Sequence, residues 1–261
     1  MIDYTFSLEE LEYFLLILVR VTCFIYVAPF FGMNNVPRRV KIGLGFFISM
    51  VLYHIPSVPH VRLSYQTVWG YGVIVMKEAL TGLLIGFGAQ LCTSIVNFAG
   101  RLMDMNIGLS MVNMMDPTTR ENTSISGVFL QYITMLILLI TGMYQFLLKA
   151  LADSYHLIPI SGAVFKSDSL TQSLVRFMGE YITIGFRIAL PVFAAIFILN
   201  AVLGILAKTA PQMNMFSVGI QLKLLVGLMV MFFTVSMLPG ATEFVFKEMR
   251  SIVTAMMEGM V

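Results

Sequence analysis

Hydrophobic residues gather along the chain into six blocks, at about 11–31, 40–56, 67–96, 125–152, 180–208 and 213–238, separated by short polar stretches. A helix crossing the hydrocarbon layer of a bilayer needs about 20 apolar residues. Each block reaches or nearly reaches that length, the second being short. Strand-like alternation is scarce, and a backbone in lipid must satisfy its own hydrogen bonds, so helices are the natural solution. The pattern predicts an all-α, polytopic, membrane-associated protein of kinked helices and hairpins. Uneven block lengths admit a second arrangement, in which some blocks are hydrophobic because protein buries them and never touch lipid.

Composition narrows the picture. Of 261 residues, 58% are hydrophobic and 11% charged, and the mean hydropathy is +0.88. Soluble domains carry roughly 25% charged residues, and a single soluble core leaves too little polar surface for this much apolar side chain. Asp3, Glu9, Glu10 and Glu12 stand where a cleaved signal has basic residues, which predicts a retained N-terminal segment. Arg38, Arg39 and Lys41 follow the first block, placing that loop in the cytoplasm and the acidic N-terminus outside. If all six blocks cross, the C-terminus also ends outside.

Punctuation and embedded charge give the local features. Gly82 and Gly86 are spaced for close helix approach, first of all as a packing face. Pro191 lies inside the fifth block and predicts a kink. Blocks five and six are joined only by Lys208, Thr209, Ala210, Pro211 and Gln212, which predicts an antiparallel hairpin with Pro211 restricting its turn. The interval 153–179 reads as a surface connector with a short helix near its end, Ser167 or Ser169 being its cap. Arg20, Lys77, Glu78, Arg187 and Lys223 fall inside hydrophobic runs. Such charges either snorkel near helix ends or face protein, water or an interface. Arg187 and Lys223 lie deep enough to favour internal contact, and adjacent Lys77 and Glu78 diverge by about 100° and so meet other helices rather than each other.

Enzyme chemistry has no support. His54, His60 and His156 are scattered, Cys23 and Cys92 are isolated, and no paired-histidine or nucleotide-binding loop motif occurs. No catalytic residue, metal ligand or cofactor is predicted, and no basic patch with interleaved aromatics suggests nucleic acid. The most distinctive stretch is Met103 to Met115, MDMNIGLSMVNMM, with methionines at 103, 105, 111, 114 and 115. Flexible thioethers between hydrophobic blocks suggest a soft seal. Asp104 and Asp116 read as loop or cap residues in preference to a proton relay.

Three ordered segments carry a family resemblance: APFFGMNNVPRRVKIGLG at 28–45, GRLMDMNIGLSMVNMMDP at 100–117, and LNAVLGILAKTAPQMNMFSVGIQLKLLVGL at 199–228. Together they resemble the FliR/SctT family of type III secretion export-gate proteins. The resemblance implies a non-enzymatic subunit of a hetero-oligomeric helical export gate in the bacterial cytoplasmic (inner) membrane, at the flagellar basal body. Its implied partners are FliP, FliQ and FlhB, with unfolded flagellar proteins as cargo and membrane lipid as surroundings. It further implies a FliP-like portion over 1–179 and a FliQ-like hairpin with a C-terminal tail over 180–261. Within the first portion, the loop at about 103–117 is implied to plug the channel. Met103, Met105, Met111, Met114 and Met115 fall on the plug, positioned by Gly100, Asp104, Asn106, Gly108, Asp116 and Pro117. Relatives often carry aromatic residues where this chain has Met111 and Met114, and commonly a glutamine where it has Asn106. Alternatively the subunit chiefly closes the FliP/FliQ ring and recruits FlhB, or serves the equivalent virulence system.

Overall fold

A computed structural model describes residues 8–33, 35–54, 65, 67–109, 124–210, 212 and 214–261. Among them the regular structure is helical: α1 (Leu8–Val27), α2 (Arg38–His54), α3 (Val68–Ile107), α4 (Ile125–Ile140), α5 (Met143–Leu157), α6 (Ser167–Thr209), α7 (Met215–Thr234), a 3-10 turn (Val235–Met237) and α8 (Leu238–Glu258). The all-α prediction is correct. α3, α6 and the helical stretch 217–258 are each long and apolar enough to cross a membrane, and α4 with α5 is a broken pair that qualifies as one span. By length and composition, three such elements, or four with the broken pair as one span, stand among the described residues against the six blocks of the sequence.

The boundaries follow backbone chemistry. α3 outruns its hydrophobic block and stops where Gly108 takes φ +95° and donates its N–H to the Asp104 carbonyl at 3.0 Å, a left-handed termination that glycine accepts without a Cβ clash. The fourth block breaks at Gly142, which adopts φ +70°. The expected connector is mostly helix as well: α5 reaches Leu157 and α6 starts at Ser167, so the short helix anticipated there is the first part of a 43-residue one. Pro191 lies inside α6, whose helix is unbroken from Ser167 to Thr209. Pro239 lacks a donor for the preceding turn, and the chain tightens into 3-10 geometry there before α8 begins.

Two compact units share the long helices. One comprises Met1–Leu91, Gly142–Phe177 and Glu248–Val261, the other Cys92–Thr141 and Met178–Lys247. In the first, α1 buries Tyr13, Leu16, Ile17, Val21, Phe24 and Ile25 at helical spacing. Gly82 and Gly86 of α3 bring two backbones together, since a Cβ at Gly82 would lie 2.1 Å from the Arg20 carbonyl oxygen and one at Gly86 2.9 Å from that of Phe24. α2 lays Gly45 over Thr22 of α1, and Lys41 donates to the Gly32 carbonyl at 2.9 Å. The C-terminal residues are no free tail. Amides of Val164 and Lys166 donate to the carbonyls of Met260 and Gly259, both at 3.0 Å, and Met256, Met257 and Met260 are buried.

In the second unit, Tyr181 of α6 donates to the Ser94 carbonyl of α3 at 3.2 Å and its ring lies 5.2 Å from Phe98, which also fills the space over Gly185. Gly227 of α7 admits Ile107 of α3, and a Cβ at Gly219 of α7 would lie 3.5 Å from Leu203 of α6.

Candidate functional site

The base of the methionine segment is a compact polar clasp in the second unit. Asp104, one turn before the end of α3, is buried and accepts from the Ser124 hydroxyl at 2.7 Å and from the Ser126 amide at 3.3 Å. Ser124 is the N-cap of α4, its hydroxyl oxygen accepting from the Gly127 amide at 2.9 Å. A carboxylate at this point meets both unpaired amides and the positive end of the helix dipole. Close approach reinforces the clasp: a Cβ at Gly100 would lie 2.2 Å from Gly127 Cα and 2.3 Å from its nitrogen, so neither helix tolerates a side chain there without moving. The unpartnered hydroxyl of Ser126 is buried beside these groups.

Other residues predicted for the loop divide by position. Met103 and Met105 belong to α3, not to a loop; Met103 is fully buried within this chain and Met105 is exposed. Asn106 turns inward to its own helix, donating to the Leu102 carbonyl at 2.7 Å. Gly108 ends the helix as described above. Met111, Met114, Met115, Asp116 and Pro117 lie outside the described residues, as does Pro211 of the hairpin tip. Lys208 is in the last turn of α6 and Gln212 is exposed, while the Asn214 side chain caps α7 by accepting from the Ser217 amide at 3.4 Å.

The embedded charges part company. Arg20 does not snorkel: it is fully buried in the first unit and donates from Nε to Glu78 at 2.6 Å. Nη1 reaches the Ser154 hydroxyl and carbonyl at 3.3 Å, both terminal nitrogens reach the Ile158 carbonyl at 3.1 Å, and the guanidinium lies 4.2 Å over the Tyr155 ring. The cation thereby neutralises Glu78 and satisfies carbonyls at the C-terminal end of α5. Glu78 accepts a second bond, at 3.1 Å, from the amide of Ser161, a residue held at φ +70°. Lys77 is half-buried and outside this pair, as the divergence of adjacent helix positions requires. Lys223 is half-buried on α7. Arg187 is exposed on α6, stacked 4.9 Å over the Phe244 ring.

Sequence reasoning singled out Arg20 and Glu78 separately and passed over Ser124, Ser126, Ser154, Tyr155, Ile158 and Ser161. Ser124 carried a readable signal, a cap residue immediately before an apolar run. The others act through backbone groups or rings that no motif marks.

A polytopic all-α protein with several helices long and apolar enough to cross a membrane is a helical membrane protein by class. Residues 11–249 match the family model described as bacterial export proteins, family 1, and the chain belongs to that family. Among curated proteins it is similar to the flagellar biosynthetic protein FliR of Bacillus subtilis (strain 168), 29% identical over 228 residues that cover 86% of each chain. Similarity to FliR of Pectobacterium carotovorum subsp. carotovorum is 30% over 231 residues, 88% of this chain and 87% of that protein. FliR of Escherichia coli (strain K12) is 28% identical over 238 residues, 90% and 88% of the two chains. The family resemblance drawn from three segments is confirmed over nearly the whole length, and with it a structural export component in place of an enzyme.

Proposed function

We propose that the chain is a subunit of the flagellar type III protein export gate, helping to form and to close the channel for unfolded flagellar proteins in the inner membrane at the basal body. The observation that carries this reading is the surface of α6: only 22% of its most apolar stretch is buried within the chain. Hydrophobic surface on that scale takes lipid or other protein as its neighbour. FliP, FliQ and FlhB are the partners proposed, with a FliP-like portion over 1–179 and a FliQ-like hairpin with a C-terminal tail over 180–261. That division differs from the two compact units because it follows likeness to partners, and its border falls within α6.

In this reading the stretch after Gly108 supplies the closure. Met111 and Met114 are proposed to narrow the path until a continuous water column is disfavoured, and to rearrange as a polypeptide enters. The Asp104–Ser124 clasp joins the residues that flank that stretch. The sequence has no nucleotide-binding loop motif, so energy for export comes from associated machinery or the membrane gradient.

The test is purification in mild detergent with the mass of the intact complex, and ion leakage measured for Met111→Gly/Met114→Gly. Recovery with FliP and FliQ and a rise in leakage, assembly being unchanged, are expected; unchanged permeability of an assembled gate overturns the plug role. The same uncovered surface favours a second reading, a scaffold that closes the ring and recruits FlhB. Deletion of 111–114 separates the two, because loss of FliP and FliQ from the purified chain points to assembly and a stable leaking complex points to gating.

A further inference from the structure

We propose that Arg187 and the apolar groove beside it on α6 dock a hydrophobic α-helix of a neighbouring chain, one that carries a carboxylate on its contacting face. The inference rests on the multi-chain reading above and names the chemistry of one contact. A groove of about 260 Å³ is lined by Phe186, Leu190, Phe193, Ala194 and Phe197. These fall at i, i+4, i+7, i+8 and i+11, a single stripe parallel to the helix axis, with the small Ala194 making the dip where a ridge of another helix seats. Phe186, Leu190, Phe193 and Phe197 are all exposed.

Arg187 shares a ridge with Leu190 and Ala194, at i, i+3 and i+7, and so stands on the groove's rim. Its guanidinium is engaged by one face only, against Phe244 of α8. None of its N–H donors meets an acceptor among the described residues. In apolar surroundings such donors need an anion. A carboxylate matches the planar fork with two parallel bonds, and a helix bearing it fills the groove with its apolar neighbours. A lipid phosphate shares the charge, but the guanidinium is held over the Phe244 ring of α8, 4.9 Å from its centroid, beside the groove.

The experiment uses the chain in its detergent-extracted complex, with Arg187→Glu, Arg187→Met and Arg187→Lys variants and a photo-crosslinking residue at position 190 in the Arg187 background. Arg187→Glu is expected to lose roughly tenfold or more of the co-purifying membrane subunits, Arg187→Met somewhat less, and Arg187→Lys least, as breaking a desolvated charge pair predicts. Selection for restored assembly in Arg187→Glu is expected to yield Asp or Glu changed to Lys or Arg in an apolar helix of a partner, and the crosslink from position 190 to fall on that helix. Wild-type subunit recovery by both Arg187→Glu and Arg187→Met overturns the proposal, as does a crosslink to phospholipid only. The crosslink needs no altered arginine, so a variant that fails to fold leaves the proposal testable. If the wild-type chain binds such a helix yet supports no flagellar export, the export-gate reading falls and this docking site stands.

Discussion

Replacing Glu78 by alanine tests how the first unit is held together. The side chain is fully buried and serves two donors, Arg20 Nε at 2.6 Å and the Ser161 amide at 3.1 Å. Its removal leaves a guanidinium in the interior with carbonyl partners but no counter-charge, and an orphaned amide beside it. Breaking one side of a buried pair costs about 3–5 kcal/mol, whereas removing both charges in favour of apolar volume is often close to neutral. At about 2–4 °C per kcal/mol for a protein of this size, Glu78→Ala should lower the melting temperature in mild detergent by on the order of 10 °C. Arg20→Met should do comparable harm. The Arg20→Met/Glu78→Leu double variant should recover much of the loss, so that the two substitutions are strongly non-additive. Amide exchange around Ser161 should rise in Glu78→Ala, because a residue at φ +70° persists only while its surroundings hold it there. Single variants melting within about 2 °C of the unaltered protein, the range of ordinary surface changes, would refute the reasoning, as would a double variant no better than the sum of the singles.

Two further substitutions address the clasp. Gly100→Ala places a Cβ 2.2 Å from the Gly127 backbone, which cannot rotate away, and the forced separation of α3 and α4 should cost about 1–3 kcal/mol, read as a lowered melting temperature. Asp104→Ala removes the acceptor of Ser124 and Ser126 and should cost about 1.5–3 kcal/mol, with Asp104→Asn milder; exchange of the Ser126 amide, followed by mass spectrometry, should accelerate in the same order.

Periodicity and punctuation made much of this fold legible, for reasons visible at single residues. Only Ala210 to Asn214 separate the end of α6 at Thr209 from the start of α7 at Met215, close to the short connection read from Lys208 to Gln212. The Gly82–Gly86 spacing marked a close approach because no other residue fits against a backbone. Hydropathy failed at helix ends. It counts side chains, whereas α3 continues past its block and stops on Gly108, and the fourth block divides at Gly142, on backbone geometry alone. It failed equally for Arg20, since a buried cation and a snorkelling one look identical until the partner appears 58 positions away. Asp104 was read as a loop or cap residue, but its partner Ser124 lies beyond the whole methionine stretch, a distance that no local pattern spans.

Arg20 and Arg187 together show what the chain completes alone and what it leaves open. Both lie in hydrophobic helices and both stack on an aromatic ring, at 4.2 Å and 4.9 Å. Arg20 also has a carboxylate, a hydroxyl and two carbonyls, and is fully buried. Arg187 has the ring and nothing else among the described residues, on a helix whose most apolar stretch is 22% buried, against 56% for that of α3. A guanidinium in apolar surroundings without an anion is far less favourable than one with it, so on the docking proposal Arg20 is satisfied within the chain and Arg187 takes its anion from a neighbour. Stability of the isolated protein should therefore respond strongly to Arg20 and weakly to Arg187, while assembly with other chains should respond to both.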